Sequence, residues 1–214
     1  MNLTTTTLQK RPRGRPAKNG QPYTDTREQL VRCGMALLTR QGLSGTTLDD
    51  ILKAAQVPKG SFYHYFESKD ALIEAAVDAY AAYFIRKIDS HFLDTKLAPL
   101  DRIANFVDDA CRGVERYDFS RGCLVGNLGQ EVSHLDETLR LRLEAILQDW
   151  ECRLAACLSE AQLAGELPKK VDCAALAHIF WVGWEGAILR ARLLRSTAPM
   201  HTFLKFFFRA ISTS

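Results

Sequence analysis

A chain of 214 residues, 47% hydrophobic and 25% charged, reads as a globular protein with room for a small and a medium domain. The net charge of +3 is unevenly placed: residues 1–66 hold ten Lys/Arg against four Asp/Glu, and the remainder eighteen against twenty-one, so the front third is suited to meet a polyanion. The opening residues lack an apolar core with a cleavage site, the apolar stretch from Cys173 to Leu189 is broken by His178 and Glu185, and the six cysteines lack zinc-ligand spacing; the expectation is a reduced, cytoplasmic protein without membrane span, metal or cofactor.

Residues 1–22 are polar, basic and rich in Pro, Gly and Thr, the composition of a disordered arm. Within it, Arg11-Pro12-Arg13-Gly14-Arg15-Pro16 can lie flat in a narrow A·T-rich minor groove, with Arg13 and Arg15 in its negative potential and Gly14 clear of the floor. This segment resembles the core of an AT-hook, and a solubilising tail is the plainer alternative. The first helix is expected from Asp25 to Gly42, with Leu30, Gly34, Leu37 and Leu38 facing inward. A second begins at Thr46 or Thr47 and carries the apolar stripe Leu48, Ile51, Leu52, Ala55. After Gln56-Val57-Pro58, a third is expected over Lys59–Phe66, since proline suits a first helical position. Ser68 can cap a fourth that runs to about Phe92. Further helices are predicted near 98–117, 123–132, 136–164, 172–195 and 198–212, punctuated by Pro99, Gly122, Gly165, Pro168 and Pro199. The fold class is therefore all-α with about nine helices: a small three-helix head over residues 23–67, joined through the fourth helix to a larger bundle over 68–214.

Two short helices joined by a three-residue turn form the minimal helix-turn-helix. On the third, Phe62, Tyr65 and Phe66 share a face that can pack inward, leaving Lys59, Gly60, Ser61, Tyr63 and His64 outward. A helix N-terminus on DNA needs such types: a cation, a glycine for close approach, and hydroxyls for phosphates. Lys69, in the first turn of the fourth helix, can add a phosphate contact. A helical cluster with a solvated polar face is the alternative.

The stretch Thr47-Leu48-Asp49-Asp50-Ile51-Leu52-Lys53-Ala54-Ala55, then Val57-Pro58-Lys59-Gly60-Ser61-Phe62-Tyr63-His64-Tyr65-Phe66 and Ser68-Lys69, resembles the DNA-binding domain of TetR-type repressors. Pro58 stands where many members have a serine cap, although a subset also has proline. The resemblance implies operator contacts from Thr47, Lys59, Gly60, Ser61, Tyr63, His64 and Lys69. It also implies a homodimer on pseudo-palindromic double-stranded DNA, released when a small-molecule inducer separates the heads.

In the body, residues 121–131 and 180–190 stand out. Trp181, Trp184, Glu185 and Ile188 fall on one helical face, and Gly183 and Gly186 remove bulk beside it. With Asn127 and Gln130 nearby in the other segment, an apolar wall bearing one carboxylate and amides describes a ligand pocket, and core or dimer packing is the alternative. Cys123 is expected at a helix start beside Arg121, where both features favour a reactive thiolate; a buried, inert cysteine is the alternative. These segments are similar to an acrylate-responsive branch of the family and, more distantly, to an electrophile-sensing branch that represses N-ethylmaleimide reductase. The first implies a small carboxylate or acyl inducer, the second covalent or oxidative modification of Cys123. An α,β-unsaturated carbonyl compound satisfies both.

The terminal helix carries Met200, Phe203, Leu204, Phe206, Phe207, Ala210 and Ile211, more apolar bulk than one small bundle needs. In the resembled family the last two helices form a four-helix dimer interface, which implies Ile188, Phe203 and Phe207 at that contact. Two rival functions are a nonspecific basic DNA-binding protein and a thiol enzyme pairing Cys123 with His134, for which no orienting third residue is recognisable. Deleting residues 1–20 is expected to lower affinity for operators with A·T-rich flanks, measured by gel shift; unchanged affinity excludes minor-groove binding by Arg13 and Arg15.

Overall fold

The computed structural model describes residues 25–212. Arg13 and Arg15, with the rest of the expected arm, lie outside the described residues. The described residues form nine α-helices and one short 3-10 turn, with no strand: α1 (Thr26–Gln41), α2 (Leu48–Ala55), α3 (Lys59–Phe62), α4 (Lys69–Phe92), α5 (Pro99–Arg116), α6 (Leu124–Gly129), the 3-10 turn (Val132–His134), α7 (Glu137–Leu163), α8 (Cys173–Leu194) and α9 (Ala198–Ser212). The expected all-α architecture is what the chain adopts.

Local chemistry explains most boundaries. The Asp25 carboxylate accepts the Arg27 N–H at the start of α1, and Gly42, at φ 74°, turns the chain out of it. Thr47 and Asp50 form a reciprocal capping box on α2, which ends at Gln56 in the left-handed region. Ser68, Asp136 and Asp172 cap α4, α7 and α8, and Pro99 opens α5.

The third helix is shorter than its sequence suggests. Pro58 is its N-cap rather than its first residue, and regular geometry stops at Phe62. Beyond it, His64 and Tyr65 donate backbone N–H groups to the carbonyls of Ser61 and Phe62, which tightens the segment into a turn. Tyr65 is consequently 40% exposed and does not join Phe62 and Phe66 in packing inward.

Two apolar clusters divide the molecule. In the head, Leu30 and Val31 of α1 meet Ile51, Leu52 and Ala55 of α2, together with Phe62, Phe66 and Leu72. The larger cluster gathers α4 to α9 around an aromatic centre, where Phe84, Trp150 and Trp181 pack with centroids 4.4–6.2 Å apart. The division cuts through two helices. Leu38 near the end of α1 belongs to the body, and Leu72 at the start of α4 belongs to the head, so α1 and α4 are stiff rods common to both.

Phe62 is fully buried in the head. Phe62→Ala is expected to lower stability by about 3–5 kcal/mol in urea unfolding, through lost burial and the cavity left in the head cluster.

Candidate functional site

The outward surface of α3 is built around one anchor. Phe62 is buried, and the ring of Tyr63 stands edge-on to it at 5.2 Å while remaining 57% exposed. Lys59, Gly60 and His64 are exposed, and Ser61 is half-buried. Lys59 makes only a loose ion pair with exposed Asp49 at 3.5 Å, which leaves it available to another anion. A side chain placed on Gly60 would meet nothing within 4 Å; the chain's own packing gives no reason for a glycine there. Lys69 occupies the first turn of α4, half-buried. These residues share one face of the head. Thr47 differs in role: its hydroxyl accepts the Asp50 N–H as the cap of α2, so its first duty is to the fold.

A cavity of about 490 Å³ lies between head and body. Its wall takes Arg32, Met35, Ala36 and Thr39 from α1, Tyr80, Tyr83, Phe84 and Lys87 from α4, and Ala110, Gly113 and Val114 from α5. Tyr117, Arg121, Gly122 and Cys123 line it at the α5–α6 corner, with Trp184 and Ile188 from α8 and Met200 from α9. Apolar surface dominates; of the cations on its rim, Lys87 is paired with Asp109 at 2.9 Å and Arg121 stacks on Tyr117. That suits a small, partly apolar ligand bearing a carbonyl or carboxylate.

Several expected sensor residues take other places. Trp181 is buried in the aromatic core and does not line the cavity. Gln130 is exposed, and its side chain donates to the Gly126 carbonyl. Asn127 braces structure: its Nδ2 donates to the Thr39 carbonyl at 2.7 Å, and its Oδ1 accepts from Arg192 at 3.0 Å. His134 is exposed on its 3-10 turn and is absent from the partners of Cys123.

Cys123 and Glu185 come together. Cys123 caps α6, its sulfur accepting the Gly126 N–H at 3.4 Å. The expected activation by Arg121 does not arise, because that guanidinium stacks on the Tyr117 ring at 3.9 Å. Instead burial, and then the adjacent Glu185 carboxyl, push the thiol well above its ordinary range. Burial likewise raises the Glu185 carboxyl to about 7, partly offset by hydrogen bonding with Cys123. Its Oε1 is buried and has no hydrogen-bond partner. Gly126 makes the pairing possible, since a Cβ there would collide with the Glu185 carboxylate. Tyr80, not anticipated from the sequence, completes the group: it is buried beside Cys123, and its phenol favours the ionised sulfur while burial raises its own hydroxyl well above the ordinary range. Only its placement at an inward helical position could have pointed to it.

The α6 corner is fastened to the head. Glu131 accepts the backbone N–H groups of Leu43 and Ser44, each at 2.8 Å. Burial opposes its charge, but these donors prevail and hold the carboxyl below its usual range. Gly42 leaves room for it, as a Cβ there would strike the Glu131 carboxylate. Asn127 and the Gly122 N–H both reach the Thr39 carbonyl, and Arg192 reaches the Arg40 carbonyl at 3.3 Å. Sequence reasoning missed Glu131 and Arg192, whose partners lie 88 and 152 positions away.

The expected interface residues also pack within the chain, with Ile188 and Phe203 left half-buried. Ile188 lines the cavity, Phe203 fills the notch left by Gly183, and Phe207 is 6% exposed, packed on Phe180 at 5.1 Å. The unpartnered apolar face lies elsewhere. Ile179, Val182, Leu189 and Leu193 of α8 are exposed, with Gly186 open between them, and Phe206 of α9 is 59% exposed. The five α8 positions repeat at alternating intervals of three and four, a helix-pairing seam legible in the sequence.

Comparison with known proteins follows this geometry. The family described as bacterial regulatory proteins, tetR family, matches residues 30–76, and that described as tetracyclin repressor-like, C-terminal domain, matches residues 99–207. The chain is 48% identical to the transcriptional regulator AcuR of Cereibacter sphaeroides over 96% of its own length and 93% of the relative's. A crystal structure of a regulatory protein TetR from Rhodobacter sphaeroides superposes with a TM-score of 0.85 at 48% identity, covering 87% of this chain and 98% of that one. The reduced form of NemR from Escherichia coli, a transcriptional repressor, superposes with a TM-score of 0.76 at 30% identity, covering 86% and 95%.

The raised pKa of Glu185 has a thermodynamic consequence. Between about 4.5, its ordinary value, and about 7, the folded chain keeps a proton that the unfolded chain has released, so stability falls as pH rises through that window. Glu185→Gln is expected to remove this component. In urea unfolding, the stability of wild type relative to the variant should drop by about 3 kcal/mol across the window and then level off.

Proposed function

This chain belongs to the TetR family of bacterial regulatory proteins, and from that premise we propose how it works as a transcriptional repressor. The exposed side of α3 reads operator DNA. Lys59, Ser61, Tyr63, His64 and Lys69 supply contacts to phosphates and base edges, and Gly60 lets the helix backbone approach the duplex. Thr47 takes part from the cap of α2, and residues 1–22 add Arg13 and Arg15 in a flanking minor groove. The observation that carries this reading is the Lys59–His64 surface: a buried aromatic anchor behind, polar and cationic groups in front, and a glycine that the chain's own packing does not require.

The active species is a homodimer. The apolar seam along α8, with Phe206 of α9, faces its counterpart across a two-fold axis and places two α3 helices on successive half-sites of a pseudo-palindrome. A small acyl or unsaturated carbonyl compound enters the cavity between α1, α4 and α8 and reacts with Cys123 or binds beside it. It acts by favouring the state in which the heads are wrongly spaced. The hydrogen bonds from Glu131, Asn127 and Arg192 to the end of α1 carry a displacement of the α6 corner directly to the head, while α4 transmits motion along its length. A thiol enzyme is not favoured, because Cys123 faces a carboxyl and a phenol rather than His134.

Gel shift with an inverted-repeat duplex from the chain's own promoter, in competition with random DNA, tests the reading. Tyr63→Ala and Lys59→Ala are each expected to weaken binding tenfold or more, and the random competitor should be ineffective; equal affinity for both duplexes would instead mark a nonspecific binder. Val182→Glu with Leu193→Glu should yield monomers in sedimentation and abolish operator binding.

A further inference from the structure

The corner at Cys123 holds more than a thiol. Cys123 is one of the residues that line the cavity, and its sulfur accepts the Gly126 N–H at 3.4 Å. The buried Tyr80 phenol beside it favours the ionised sulfur, against the opposing effect of burial. Beside the sulfur sits the Glu185 carboxyl, in the space a side chain on Gly126 would occupy, with Oε1 buried and unpartnered. Among the described residues, the titratable groups acting on Glu185 are Cys123 from the α6 corner and Tyr80 from α4. The Arg192 guanidinium on the same helix is turned to Asn127 and Arg40. A carboxyl with one oxygen buried and unpartnered and no cation to hold it serves chemistry better than it serves folding.

A backbone N–H, a phenol and a carboxyl around a single sulfur supply what thiol ionisation needs. The first two steady negative sulfur, and the carboxyl takes its proton. We propose that Glu185 is the proton acceptor that activates Cys123 toward α,β-unsaturated carbonyl compounds entering the cavity. The inference rests on the reading of Cys123 as the sensor thiol. As the sulfur electron pair bonds to the β-carbon, the S–H proton passes to the Glu185 carboxylate. The C=C π pair moves toward the carbonyl as an enolate, and the carboxyl returns the proton to the α-carbon. A thioether results, Glu185 ends as it began, and no other reactant is consumed. Burial that lifts the carboxyl to about 7 makes it a far better base than an ordinary glutamate near neutrality.

The test follows adduct formation by acrolein on the full chain, with peptide-resolved mass spectrometry across a range of pH. Exposed Cys152 in the same molecule serves as the reference thiol. In the wild type, the Cys123 rate should climb with pH and level off above about 7. Glu185→Gln should lower that rate at least tenfold near pH 7.5, within the range of about 10²–10⁴ that a positioned base supplies, and leave the Cys152 rate unchanged. Equal Cys123 rates in both proteins overturn the proposal while leaving Cys123 as the sensor. No adduct on wild-type Cys123, with operator release by acrolein intact, overturns the sensor reading and this proposal with it. Should Glu185→Gln fail to fold, the wild-type profile decides: a rate that only follows ordinary thiol ionisation, without a plateau above about 7, overturns the role of Glu185.

Discussion

A carboxylate leaving water must find donors, and Glu131 finds them in the loop after α1, where the N–H groups of Leu43 and Ser44 converge on it. That bond, with those from Asn127 and Arg192 to the last carbonyls of α1, turns two apolar clusters into one mechanical unit. Gly42 is part of the same device. Its positive φ both ends α1 and clears the space in which the carboxylate sits.

The cavity is placed where this unit can be strained. One wall is α1, which carries Leu30 and Val31 of the head core, and another is the corner that holds Cys123. Under the proposed function, a ligand there would touch both sides of the joint at once, and its shape would bear on the arrangement of the heads as well as on affinity. The same corner concentrates unfavourable electrostatics. A thiol kept protonated and an acid kept near neutrality lie side by side beneath Tyr80, at a loss of stability that the large aromatic core absorbs.

The head was readable because its determinants are local. Thr47 with Asp50, the Ile51/Leu52/Ala55 stripe, Pro58 and Phe62 each act within a few residues, and helix caps and apolar periodicity depend on short-range geometry. The reading erred where a helix end or a burial state depended on distant groups. Tyr65 sits outside the core because the segment tightens after Phe62. Trp181, Trp184 and Ile188 were rightly grouped on one face of α8, but only packing against α4, α5 and α7 separates the core residue from the two that line a cavity. The terminal helix shows the same dependence: Phe203 and Phe207 look like free apolar bulk until α8 supplies Gly183 and Phe180 to receive them.

By itself the amino-acid order determined the helices, their number, the polar and cationic front of α3, and the presence of a cysteine at the start of a helix, because each follows from residues within a turn or two of one another. Tertiary structure alone decided which apolar faces were left for a partner, how Glu131 and Arg192 bind the head to the body, and whether Cys123 is poised as thiolate or thiol. Those outcomes rest on burial and on donors far along the chain. A helix N-terminus and a nearby arginine argue for the thiolate, but desolvation and the carboxyl of Glu185, brought 62 positions back by the packing of α8 on the corner, outweigh them.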